Sequence, residues 1–126
     1  MKLVIKGPPR TKKTSQRILR APGGRPFVMP SKASRAWEKS AIEQLVTQKP
    51  WADWPAVAGP VSVRALFYRD ADRGDLTNFE QGVGDALQAA GIIINDRQIE
   101  SWDGSRKLID RTNPRVEIEL LPMARL

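Results

Sequence analysis

The sequence of 126 residues predicts an α+β (mixed α/β) fold, a single small domain in which helices pack on a mixed β-sheet. Apolar and polar residues alternate in several short stretches, a pattern typical of half-buried strands. Two longer stretches instead repeat apolar residues every three or four positions, which is typical of amphipathic helices. These stretches follow the order β-α-β-α-β-β. The length suits one core, so we expect residues 1–126 to form one domain.

The first half of the chain is predicted to contain one strand, one loop and one helix. Residues 3–6 form a short strand, and a basic loop rich in Gly and Pro follows over about residues 7–30. Ser31 or Ser34 then caps a helix that ends near Gln48. The apolar stripe of this helix is expected to face the core and consists of Ala36, Trp37, Ala41, Ile42 and Leu45.

The second half is predicted to contain a long strand, a second helix and the closing strands. Apolar residues alternate over residues 61–69, as expected for a strand with two unequal faces. From Thr77 to Ala90 the period becomes helical, and Gly91 ends this helix. The core side of the helix consists of Phe79, Val83, Ala86, Leu87 and Ala90. Residues 98–102 and 106–109 are predicted to be strand pieces around Asp103 and Gly104, and a last alternating strand buries Val116, Ile118 and Leu120.

The sequence contains no Cys and no His, which excludes several classes of protein. Disulfide scaffolds, thiolate zinc sites, cysteine nucleophiles and Ser-His triads all need one of these residues. Catalysis must therefore use carboxylates, lysine, hydroxyls or hard metal ions held by oxygen. The first apolar stretch is too short for a signal peptide and none is long enough to span a bilayer. We expect a cytoplasmic protein with no membrane partner and no small-molecule cofactor.

The net charge of +7 is concentrated near the N-terminus. Residues 1–40 contain eleven basic residues and one acidic residue, whereas the other 86 residues contain ten basic and thirteen acidic ones. A concentrated basic segment attracts polyanions, which predicts nucleic acid as the partner. The alternative is a solvated basic arm with no specific partner. The candidate contacts to the DNA backbone are Lys12, Lys13, Arg17 and Arg25.

Acidic residues collect between Arg69 and Asp96, which is unusual in a basic protein. They are Asp70, Asp72, Asp75, Glu80, Asp85 and Asp96. Asn78, Gln81 and Asp85 are spaced by three and four residues and share one helical face. The apolar residues 92–94 can turn the chain back, so that Asp96 lies beside the start of the same helix and converges with Asp75 and Asp85. Crowded carboxylates bind a hard cation such as Mg²⁺ or Mn²⁺, as in a phosphodiester hydrolase.

Simpler explanations exist for some of these residues. Thr77 and Glu80 form a T-x-x-E pattern, which favours a capping box in which Thr77 only starts the helix. Asp75 near a helix N-terminus complements the helix dipole without any catalytic role. A polar helix face is most often simply solvated. Spacing alone therefore leaves the metal site and a purely structural role open.

The motif over residues 74–87 (GDLTNFEQGVGDAL), continued over residues 90–99 (AGIIINDRQI), resembles the RusA-type Holliday-junction resolvases. The family pattern is approximately D-L-D-N-x-x-K-x-x-x-D-A-L, followed by an A-G turn and D-D-x-Q-[VI]. The resemblance implies that Asp75, Asp85 and Asp96 hold the metal, with Asn78 at the Asn of the pattern. Two positions differ, because Thr77 stands where the family has Asp and Gln81 where it has Lys.

The resemblance further implies a Mg²⁺-dependent endodeoxyribonuclease, with Mn²⁺ as a substitute. Such an enzyme acts as a homodimer and makes paired nicks in a four-way DNA junction during recombination or repair. Thr77, Asn78 and Gln81 then position the metal, its water or the phosphate. The two departures from the pattern leave open a non-catalytic DNA-binding module with the same fold. A third, weaker hypothesis based on the charge is a small basic protein that binds RNA or the ribosome.

Overall fold

The computed structural model describes residues 1–11, 16–20, 23–24, 26–30 and 32–124, with the backbone alone for 16–20 and 26–30. Its elements are β1 Lys2–Lys6, β2 Gln16–Arg20, β3 Pro26–Pro30, α1 Lys32–Thr47, β4 Val61–Arg69, α2 Leu76–Ala89, a short 3-10 helix Asp96–Gln98, β5 Ile99–Ser101, β6 Arg106–Ile109 and β7 Arg115–Pro122. Two helices and a five-stranded mixed sheet confirm the predicted α+β class.

The main sheet places β4 at its centre. β7 lies antiparallel between β1 and β4, and β5 and β6 both pair in parallel with the other edge of β4. β5 pairs with the start of β4 at Val61 and Ser62, and β6 pairs with its end from Leu66 to Arg69. The turn between β5 and β6 therefore runs alongside the middle of β4.

The core lies between one face of the sheet and the two helices. Alternate residues of β1, β4 and β7 are buried, as the predicted alternation requires. The stacked rings of Phe67 and Phe79, 5.2 Å apart between centroids, join β4 to α2. The predicted core side of α2 is confirmed, whereas Ala36 in the predicted stripe of α1 is exposed. Ser34 lies inside α1, so it does not cap it, and Ser31 lies outside the described residues.

The outer edge of β1 is covered by two glutamine side chains, Gln44 in α1 and Gln48 just after it. The Gln48 amide accepts from the N–H of Val4 at 2.8 Å and donates to its carbonyl at 2.7 Å. Gln44 makes the same pair of bonds with Lys6, at 2.7 and 3.0 Å. The two amides thus take the place of a neighbouring strand, and they satisfy backbone groups that would otherwise form an open edge.

The segment predicted as a basic loop over residues 7–30 contains an antiparallel hairpin, which corrects that part of the prediction. β2 and β3 pair with Ile18 opposite Val28, and Gly23 and Gly24 adopt positive φ between the strands. Apolar residues inside Gly/Pro-punctuated sequence suffice for two short strands when glycines supply the turn. The described residues contain no helix that is both long and apolar enough to span a membrane.

Candidate active site at the start of α2

The loop between β4 and α2 fixes the position of Asp75. Gly74 adopts φ +90°, and a Cβ atom at this residue would lie 2.3 Å from the ring of Phe79. Both the backbone conformation and the lack of space require glycine here. The Asp75 carbonyl accepts the N–H of Phe79 at 3.0 Å, and the Asp75 carboxylate accepts from the Asn78 side chain at 3.3 Å. Asp75 is therefore held in a defined position immediately before the first residue of α2.

The predicted capping box at Thr77 is wrong. α2 begins at Leu76, its N-cap residue is Asp75, and the Asp75 side chain makes no capping hydrogen bond. Thr77 consequently lies inside the first turn, with its side chain exposed, and Glu80 follows it one turn later. Because neither side chain is needed to start the helix, both are available on its surface. A complete capping box exists instead at the 3-10 helix that follows α2.

That capping box holds Asp96. The Asn95 side chain accepts from the N–H of Arg97 at 2.9 Å, and the Gln98 side chain accepts from the N–H of Asn95 at 2.8 Å. The Gln98 amide also donates to the carbonyls of Val57 and Gly59, each at 2.8 Å. This second set of bonds ties the 3-10 turn to the chain just before β4. The Gln of the sequence motif is thus a residue that positions Asp96.

Helix α2 contacts the same turn directly. The Gln88 side chain accepts the N–H of Asp96 at 2.9 Å. A Cβ atom on Gly84 would lie 3.5 Å from Ile99 and 3.7 Å from the Cβ atom of Asp96, so the turn packs closely on the helix at this glycine. The chain does return to α2, but these contacts of Asp96 are with Gly84 and Gln88 in the second half of the helix, whereas the prediction placed Asp96 beside its start. This return brings Asp96 to the face of α2 that carries Thr77, Gln81 and Gly84.

An open cleft of about 280 Å³ lies between α2 and this turn. The helix contributes polar side chains to one wall, and the turn and β5 contribute Asp96 and two apolar side chains to the other. Ligand pockets measure roughly 300–1,000 Å³, so this cleft is at the small end of that range. The lining residues are Thr77, Glu80, Gln81, Gly84, Asp96, Ile99 and Trp102.

Four of the lining residues were not among the predicted site residues, namely Glu80, Gly84, Ile99 and Trp102. Burial raises the pKa of the Glu80 carboxyl above its usual value. Within the described part of the chain neither Glu80 nor Asp96 has a cationic partner. Glu80 was recognisable only through its spacing from Thr77 and Gly84, because residues three and four apart share a helix face.

The predicted convergence of Asp75, Asp85 and Asp96 is only partly visible. Asp75 and Asp85 belong to α2 and its cap, but the described lining of the cleft includes only Asp96 of the three. Among the described residues no three acidic side chains form a group that could hold a metal ion by themselves. The structure thus brings together Asp96, Thr77 and Gln81, and leaves Asn78 bonded to Asp75.

Asp70 and Asp72, which form a D-x-D sequence upstream of Asp75, have other partners. Both carboxylate oxygens of Asp70 accept from Arg10, at 3.3 and 3.4 Å, and from Arg73, at 3.1 and 3.0 Å. The Arg10 hydrogen bond is the main reason why the pKa of Asp70 lies below its usual value. Asp72 pairs with the buried Arg69 at 2.9 Å. These ion pairs brace the loop that leads to Asp75.

The predicted DNA contacts cannot be placed in this geometry. Lys12, Lys13 and Arg25 lie outside the described residues, and Arg17 belongs to β2, for which only the backbone is described. The hairpin formed by β2 and β3 carries Arg17 in register with Met29. The role of the four residues in DNA binding stays a prediction.

Comparison with protein families gives one match. The sequence profile of the family described as Endodeoxyribonuclease RusA matches residues 6–121. The matched region contains α2, the turn that carries Asp96 and all residues that line the cleft. A comparison with curated proteins gives no match. The family match covers nearly the whole chain and agrees with the motif that surrounds Asp75 and Asp96. The chain therefore belongs to the RusA endodeoxyribonuclease family.

Proposed function

We propose that this protein is a metal-dependent endodeoxyribonuclease that resolves Holliday junctions or other branched DNA in recombination and repair. Its family consists of nucleases that act on DNA junctions. The observation that carries the proposal is the cleft beside α2, where Asp96 lies with Thr77 and Gln81 inside the matched region. Carboxylates in an open cleft of a basic protein suit a phosphodiester that is bound through a cation.

The donor atoms around α2 suit Mg²⁺, with Mn²⁺ as a substitute. All are oxygens of carboxylate, hydroxyl or amide groups, and the chain has no His or Cys. Mg²⁺ commonly keeps several waters and takes only one or two protein carboxylates, so a set smaller than three in one place is sufficient. We propose Asp96, which lies in the cleft, as one ligand of the metal, and Asp75 and Asp85 as the candidates for the second carboxylate. When bound, the ion supplies an activated water and stabilises charge on the leaving oxygen.

Three neutral side chains are proposed to position the reacting groups. Asn78 donates to Asp75 and so fixes the orientation of that carboxylate. The Thr77 hydroxyl and the Gln81 amide can both donate hydrogen bonds to a phosphate in the cleft. Relative to the family pattern, one negative and one positive charge are missing at these two positions, so the formal charge of the site is unchanged.

Binding of the DNA backbone is assigned to the basic N-terminal segment, through Lys12, Lys13, Arg17 and Arg25. Cations there neutralise phosphates and release counterions, independently of sequence. Paired cuts require two active sites, which a homodimer supplies with the two-fold symmetry that a four-way junction approximates. We therefore propose a homodimer on branched DNA as the active form.

Incubation with a synthetic four-way junction tests the proposal. We expect cuts in Mg²⁺ and none in EDTA, and we expect Asp96→Asn to abolish cleavage while junction binding persists. Asp53→Asn, at an exposed aspartate of the connector before β4, is the matched control and should cut normally. Separate Mg²⁺ titrations of Asp85→Asn and Glu80→Gln identify which carboxylate assists Asp96. Binding without any metal-dependent cut would instead favour a non-catalytic DNA-binding module.

A further inference from the structure

Trp102 forms the aromatic wall of the cleft. It follows β5 directly, lines the cleft opposite α2 together with Ile99, and packs with part of its surface against the core. The same cleft contains Asp96. An indole that lies beside a carboxylate in an open cleft has a polarizable face next to the place where a phosphodiester would be bound.

The turn that carries Trp102 is firmly attached to the sheet. The Trp102 carbonyl accepts the N–H of Ser105 at 3.0 Å, and the Ser105 hydroxyl accepts the N–H of Ala65, in β4, at 2.9 Å. On the other side, the Ser101 hydroxyl accepts the N–H of Asp103 at 3.2 Å. Because the backbone around Trp102 is held and its ring packs partly against the core, a ligand that contacts the ring orders little additional structure.

The two walls of the cleft match the two parts of a nucleotide. One side presents Thr77 and Gln81, donors for a phosphate, and the other presents Ile99 and Trp102, an apolar surface for a planar base. In a regular duplex each base is covered on both faces by its neighbours. Only a base that has left the stack, as at a branch point, can place a free face against an aromatic side chain.

We propose that Trp102 stacks on an unstacked base beside the phosphate that is cut, and thereby favours branched DNA over linear duplex. This inference rests on the proposed function and adds a determinant of specificity to it. Stacking of one base on an aromatic side chain corresponds to roughly 5- to 100-fold in affinity. Trp102 is thus assigned to substrate choice, whereas Asp96 is assigned to the chemistry.

The test measures binding in the absence of Mg²⁺, so that cleavage does not interfere. Affinities for a four-way junction and for a duplex of the same sequences are compared among wild type, Trp102→Phe and Trp102→Leu. We expect Trp102→Leu to lower the preference for the junction by roughly 5- to 100-fold with unchanged duplex affinity, and Trp102→Phe to keep most of it. Trp51→Leu, at a tryptophan that is 59% exposed outside the cleft, is the control.

A second measurement changes the DNA and not the protein, which guards against misfolding of Trp102→Leu. Junctions with one abasic site are prepared, scanning the nucleotides on both sides of the cut. Wild type should lose affinity at one of these positions by about the same factor as Trp102→Leu loses on the intact junction. An unchanged junction preference in Trp102→Leu, or no sensitive abasic position, overturns the role of Trp102. Failure of wild type to cut any junction in Mg²⁺ would overturn the nuclease proposal and leave this binding comparison valid.

Discussion

Substitution of two glycines inside α2 can distinguish an effect on helix stability from an effect on the shape of the cleft. Gly82 and Gly84 occupy interior positions of Leu76–Ala89 with ordinary helical φ. A glycine in a helix interior is less favourable than alanine by about 0.5–1 kcal/mol, because it loses more backbone entropy on folding. We therefore ask what a methyl group at each of the two positions would do.

The structure has room for both methyl groups. A Cβ atom on Gly82 would lie 3.5 Å from the ring of Trp37, and one on Gly84 would lie 3.5 Å from Ile99 and 3.7 Å from Asp96. These are ordinary van der Waals distances. Each alanine should therefore stabilise the protein by about 0.5–1 kcal/mol, which raises Tm by about 2–5 °C for a chain of this length.

The two variants should differ in activity. Only Gly84 lines the cleft, so only its methyl group occupies space between α2 and Asp96. A misplacement of 1 Å in an active site can cost about a hundredfold in rate. Since this methyl fits at normal contact distance, we expect a smaller loss of about tenfold in junction cleavage for Gly84→Ala, and none for Gly82→Ala.

Thermal melts and single-turnover cleavage of a four-way junction check both statements. A lower Tm for Gly84→Ala would mean that the turn carrying Asp96 packs on the helix more tightly than these distances allow. Equal loss of cleavage in both variants would mean that helix rigidity matters and that the cleft does not. Either result refutes the reasoning that connects Gly84 to the site.

Two further predictions concern elements around the site. Gln44→Ala combined with Gln48→Ala removes four hydrogen bonds from the edge of β1. The double variant should be less stable by about 2 kcal/mol and should associate as its concentration rises, because the strand edge is then open. Thermal melts and gel filtration measure the two effects, with Glu43→Ala as the control. Because the pKa of Asp70 is lowered in the folded protein, the ionised carboxylate stabilises the fold above about pH 4, and this stability is lost as the pH falls further. Asp70→Asn should therefore be less stable than wild type at pH 7 and equally stable in melts at acid pH. A loss of stability that persists in acid would exclude the charge of Asp70 as its cause.

The helices and the central strands could be predicted from the sequence because their patterns are local. The spacing of the apolar residues predicts the core side of α2, and Gly91 predicts the end of the helix. The structure confirms both. Gly91 has φ +74° and its N–H bonds to the carbonyl of Gln88, while Ile92 bonds to Leu87. The hairpin over residues 16–30 was missed because Gly, Pro and charge dominate its sequence and conceal two short apolar runs.

The start of α2 shows why helix ends are harder to predict. Asp75 and Thr77 are both good N-cap residues, and the T-x-x-E pattern favours Thr77. What decides between them is tertiary: Phe79 must reach the ring of Phe67, and it lies against Gly74. Packing of one aromatic residue thus sets the first turn of the helix, and no local pattern contains that information.

The partners of the acidic residues, some local and one far away in the chain, separate structural from candidate functional carboxylates. Asp70 meets Arg10 across 60 positions and Asp110 meets Arg115 on β7, so both carboxylates have cations within the fold. Glu80, partly buried in the same basic protein, has none among the described residues. A desolvated carboxylate without a cation costs stability. Within the described part of the chain, arginines therefore pair with the carboxylates of the supporting loop and not with those of the cleft. This difference is consistent with the proposed binding of a cation at the cleft.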